Sequence, residues 1–113
     1  MTLGLTIVLS GCGLATILAA RGAILRRQGD LDGALERHEE AVAIYRDLGD
    51  VVGELSAMGA MSTVYRRRGD LTRAELNARD VLSRAADAGD EILLGDALMQ
   101  LALVHLDLRR PAD

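Results

Sequence analysis

Arg26-Arg27-Gln28-Gly29-Asp30-Leu31 returns forty positions later as Arg66-Arg67-Arg68-Gly69-Asp70-Leu71. These two segments decide the fold. Gly49-Asp50 and Gly89-Asp90 stand at the same spacing, as do Ala20 and Ala60, Ala34 and Ala74, and Asp47 and Asp87. The matches gather at the Gly-Asp pairs and at small interior positions, where geometry is most demanding. A fixed period of this kind marks a repeat array. A third copy begins near Gly95 and covers part of a unit by Asp113.

Each unit reads as two helices. Leu31, Ala34, Leu35, His38, Ala41, Val42, Tyr45 and Leu48 recur at helical steps and form one stripe. Leu71, Ala74, Ala78, Val81, Leu82 and Ala85 are its copy, and Val51, Leu55, Met58, Met61, Val64 and Tyr65 mark the intervening helix. Glycine adopts the left-handed conformation that stops a helix, and the Asp after it can cap the next one. Arg26, Arg27, Arg66, Arg67 and Arg68 fall in last turns, where cations offset the negative helix end. Helices are expected at 14–28, 31–48, 51–68, 71–88 and 91–109. Pro111 is the only proline, so glycine must supply the breaks. The fold class is all-α, a helical-hairpin repeat solenoid.

Composition narrows the function. The chain has 113 residues, 50% apolar and 27% charged, an ordinary balance for one globular domain. Its basic residues are all arginine and the net charge is -4. There are two tyrosines and no Phe or Trp, so Leu, Val, Ile, Met and Ala must build the core. An acidic chain so poor in aromatics lacks the basic face and the stacking platforms of a direct nucleic-acid binder. A single cysteine excludes an internal disulfide framework.

The spacing Leu18, Gly22, Leu25, Gly29, Ala34, Ala41 resembles the tetratricopeptide repeat pattern of large, small, large, turn glycine, small, small. Met58, Ser62, Tyr65, Gly69, Ala74 and Val81 repeat it, and Leu98, Ala102 and His105 begin it again. The family's period is 34. The longer 40-residue form here is similar to repeats of bacterial multidomain regulators and signalling ATPases. Arg21, His38 and Ala78 depart from the usual Leu and aromatics, and the closing proline is missing at Arg46 and Ala86.

The resemblance implies a right-handed superhelix of about two and a half repeats, at 14–53, 54–93 and a partial 94–113. It implies binding of a protein or peptide segment in the groove of the first helices, with no catalysis, cofactor or metal. Gly22, Ser62 and Ala102 should sit where the two helices of a pair cross. A carboxylate clamp is not supported, since Ala19, Ala23, Ser56, Ala60, Asp96 and Gln100 hold its positions and none is basic. The candidate groove residues are Ser56, Thr63, Arg67, Asp96 and Gln100. The alternative is the sensor or scaffold region of a larger bacterial transcription regulator or ATPase.

Residues 1–13 form an apolar segment. Leu9-Ser10-Gly11-Cys12 resembles a lipobox, but no Lys or Arg precedes Cys12 as a signal requires. A membrane span is diluted by Gly4, Gly11, Gly13 and several hydroxyls. The preferred reading is the tail of a helix from a preceding repeat, in a cytoplasmic protein; the alternative is a lipoprotein anchored at Cys12. The segment 91–109 is apolar nearly all round, which predicts a longer array or self-association through it.

Catalytic groups do not converge. His38 and Glu39-Glu40 point different ways on a helix, and H-E-x-x-H is not present. His38 and His105 read as packing residues. Cys12 reads as a small hydrophobe, and Gly11-Cys12-Gly13 lacks the Lys of a phosphate loop. Arg66-Arg67-Arg68 reads as solvent-facing charge linked to Asp30 or Asp70. Met58, Met61 and Met99 fit core packing better than a plastic binding strip.

Overall fold

The computed structural model describes residues 2–109, with side chains from residue 13 onward. Among them the chain forms five α-helices and no strand: α1 (Thr2–Arg27), α2 (Leu31–Leu48), α3 (Val51–Arg67), α4 (Leu71–Ala88) and α5 (Glu91–Arg109). The all-α helical-hairpin repeat is therefore observed. Four of the helices match the expected spans to within a residue. The first does not, because α1 begins at Thr2 and runs unbroken through residues 13 and 14. The repeat itself explains this. Forty positions before Gly49-Asp50 stand Leu9 and Ser10, which supply neither a left-handed stop nor an Asp cap.

All four junctions use one device. Gly29, Gly49, Gly69 and Gly89 are the positive-φ residues, at 88°, 72°, 84° and 70°. Each following Asp donates its N–H five residues back, as in Asp30 to Leu25 O at 2.9 Å and Asp70 to Tyr65 O at 2.9 Å. Each glycine N–H closes the shorter bond, as in Gly29 to Arg26 O at 3.1 Å. This is the Schellman arrangement, and it satisfies carbonyls the helix end would otherwise strand. The Asp then turns to the next helix. Oδ1 of Asp30, Asp50, Asp70 and Asp90 accepts from the N–H of Gly33, Gly53, Arg73 and Leu93, at 2.9, 2.9, 3.2 and 3.0 Å. One dipeptide thus ends one helix and starts another, at about 1 kcal/mol per cap.

The chain divides into two compact units, Met1–Ala57 and Met58–Asp113, the division falling within α3. In the first, α1 packs on α2. Ala15, Leu18, Ala34, Leu35, Ala41, Val42 and Leu55 are buried. His38 is buried among them, and its ring takes the room left by Gly22. Glu54 is also buried, and its Oε2 accepts from Arg46 Nε at 3.1 Å and Nη2 at 3.0 Å. A carboxylate taken out of water costs several kcal/mol unless it is paired in this way.

In the second unit α4 packs on α5. Met58, Met61 and Val64 of α3, Ala74, Ala78, Val81 and Ala85 of α4, and Leu93, Ala97 and Val104 of α5 are buried. Alanine lines α4 because small side chains let helices approach closely. Ser62 is fully buried where the small residue was expected, and Asn77 Nδ2 donates to its Oγ at 2.7 Å and to the Met58 carbonyl. Met58 and Met61 are core residues as read, but Met99 is 56% exposed. Ala102 and His105 are exposed too, against expectation. They carry the register of Ser62 and Tyr65, yet among the described residues no helix follows α5 to cover them.

Among the described residues no helix is long and apolar enough to cross a membrane. The side chain of Cys12, the alternative lipid anchor, lies outside the described residues.

Candidate functional site

Four of the five expected groove residues belong to the second unit, and the structure joins two of them. Gln100 Nε2 on α5 donates to Thr63 Oγ1 on α3 at 3.0 Å. Arg67 lies one turn beyond Thr63 and Asp96 one turn before Gln100, so each shares a face with its neighbour. Arg67 and Asp96 are exposed, while Thr63 and Gln100 are half-buried. The first helices of consecutive repeats thus present a polar seam with one cation and one anion at its margins. Ser56 is exposed on α3 but belongs to the first unit, apart from the seam.

The seam is held in place by bonds that sequence reading did not find. Arg66 Nη1 meets Asp107 Oδ2 at 3.4 Å, tying α3 to α5 on the C-terminal side of the Thr63–Gln100 bond. Both side chains are about three-quarters buried. The expectation that Arg66 would link to Asp30 or Asp70 is therefore corrected. Asp70 instead meets Arg73 Nε at 3.4 Å, within its own helix start, where the cap geometry already holds its carboxylate. A separation of 41 residues left Arg66–Asp107 invisible to local pattern reading.

Gln100 keeps one buried oxygen, Oε1, with no hydrogen-bond donor. Its amide nitrogen is a fixed donor to Thr63.

A second concavity lies away from the seam. Leu71, Thr72, Glu75 and Leu76 of α4 and Leu108 of α5 line a cleft of about 170 Å³. Glu75 is its charged wall. The carboxylate accepts from Arg79 Nε at 3.0 Å and lies 4.0 Å from His105 Nε2. Its charge is thus already engaged within the helix. Among the described residues no three His, Cys, Asp or Glu side chains converge as a metal site. His38 and the neighbouring glutamates separate as expected, with His38 buried and Glu39 and Glu40 exposed. Glu40 is held at 2.9 Å by Arg37 Nη2.

Helical hairpins of this register, capped at a regular Gly-Asp pair, define the class. A family model described as tetratricopeptide repeat matches residues 13–87. The chain belongs to the tetratricopeptide repeat family. No curated protein and no solved structure matches it. Members of this family are protein–protein interaction modules, and this chain is such a repeat module.

Proposed function

We propose that the module receives a partner segment along the α3–α5 seam, and that Thr63, Arg67, Asp96 and Gln100 are the residues it touches. The observation that carries this is the Gln100–Thr63 bond. It fixes two polar side chains from consecutive first helices in one place. A preorganised polar pair loses little entropy on binding. Arg67 and Asp96 set the direction of the bound segment, since an acidic residue near Arg67 and a basic one near Asp96 match only one orientation. The recognition is by shape and by a few hydrogen bonds, with no reaction.

On this reading the protein is a cytoplasmic adaptor. Where such repeats form part of a larger bacterial regulator or ATPase, the same seam would report a bound segment to the rest of that chain.

Selection of peptides from a random library against the purified chain tests the proposal. Selected peptides should lose affinity by about tenfold or more on Gln100→Ala or Arg67→Glu, the loss of one good polar contact. Affinity unchanged by both substitutions would reject the seam as the binding surface.

A further inference from the structure

Among the described residues the outward face of α5 is left exposed. Ile92 is 78% exposed and Leu98 53%, and Met99 and Leu106 are more than half exposed. At 100° per residue, Gly95, Leu98, Met99, Ala102 and Leu106 share one side of the helix, opposite the buried Leu93, Ala97 and Val104. The repeat register shows what such a face does elsewhere in the molecule. Leu55, Met58 and Ser62, forty residues before 95, 98 and 102, are buried, and so are Ala15, Leu18 and Gly22 before them. Apolar exposure concentrated in this way marks an interaction surface.

The face ends in opposite charges. Glu91 stands in the first turn and Arg109 in the last, both exposed and both on this side of the helix. We propose that a second copy of the chain covers this face, the two α5 helices lying antiparallel about a two-fold axis. Antiparallel pairing sets Glu91 of each copy beside Arg109 of the other, whereas parallel pairing sets like against like. Once that register is fixed, the side chains interlock by size. Leu98 faces Ala102 and His105 faces Gly95, each contact occurring twice as a two-fold requires. The space over Gly95 is open, with nothing within 4 Å of where a Cβ would stand, so it can receive a ring. The seam of Thr63 and Gln100 lies on another side of α5, and the two surfaces operate independently.

One helix pair, about 28 Å long for 19 residues, is a small interface and sets dissociation on the order of micromolar. Sedimentation equilibrium of the whole chain, up to about 200 µM, gives the test. The wild type should be a dimer at the upper end. Leu98→Glu should be a monomer with unchanged helicity by circular dichroism, since Leu98 is outside the core. Glu91→Arg and Arg109→Glu should each weaken dimerisation by about tenfold. An equimolar mixture of those two variants should regain wild-type affinity, because every contact in the mixed dimer is again between opposite charges. A wild type that stays monomeric throughout overturns the proposal. So does a dimer that survives Leu98→Glu, or a mixture no tighter than its components. A face that accepts only a helix from a different protein would show itself as that monomer.

Discussion

The ring of His38 occupies the space that a side chain on Gly22 would need. A Cβ at Gly22 would come within 2.8 Å of His38 Cε1 and Nε2. The ring is 2% exposed, so it has nowhere to retreat. Gly22→Ala should therefore destabilise the α1–α2 hairpin by about 1–3 kcal/mol, the usual range for overpacking. This runs against the gain of up to ~1 kcal/mol that alanine brings to an unobstructed helix interior. Urea unfolding measures the sign, and a stabilised variant would contradict the close fit. His38→Ala in the Gly22→Ala background should recover part of the loss.

Neither ring nitrogen of His38 has a hydrogen-bond partner. Burial, and secondarily the charge of Arg26, hold its pKa below the ordinary 6.5. On acidification the unfolded chain takes up the proton before the folded one does. The sign follows: His38 leaves stability intact above the unfolded value and removes it as pH falls through the window beneath. Unfolding free energy should drop between about pH 7.5 and about pH 5 more steeply in the wild type than in His38→Phe. Equal slopes in the two proteins would show that His38 does not titrate on unfolding.

Asn77 links the helices of the second unit through Ser62. Its side chain donates to a hydroxyl that is fully buried. Asn77→Ala leaves that hydroxyl without its donor and should cost about 1–2 kcal/mol in chemical denaturation. Asn77→Ala combined with Ser62→Ala should cost less than the sum of the two single changes, because the buried polar group leaves with its partner. Full additivity would argue against the bond.

Two glycines predict opposite signs for the same substitution. Gly69 has φ 84°, a conformation that alanine adopts at a cost of about 1–2 kcal/mol. Gly59 lies inside α3 with nothing within 4 Å of an added Cβ. Gly69→Ala should lower the melting temperature and Gly59→Ala should raise it, the latter by about 0.5–1 kcal/mol in stability. The comparison isolates backbone conformation from packing.

The turns were legible because each rests on a dipeptide with a local mechanism. Gly29-Asp30 needs no tertiary contact to end one helix and begin the next. The start of α1 misled for the converse reason: periodicity was extended to a position where Leu9-Ser10 lacks that mechanism. Register alone points His105 toward a core. Register tells which way a side chain points, but burial also requires something to cover it. Repeat phase alone places Thr63 and Gln100 on first helices. Their mutual bond and the Arg66–Asp107 pair depend on how α3 and α5 lie side by side, which no local pattern encodes. The Ser62–Asn77 bond had a signal in hindsight, since a hydroxyl at a tight helix crossing requires a donor or acceptor across it.

The most direct test of the account is a ¹⁵N-edited nuclear magnetic resonance titration of the chain with a library-selected peptide, run on the monomeric Leu98→Glu variant. The account predicts shifts centred on Thr63, Arg67, Asp96 and Gln100, including the Gln100 side-chain amide, with the buried face of α4 unmoved. Shifts confined to other surfaces, or a seam that stays silent while the peptide binds, would contradict it.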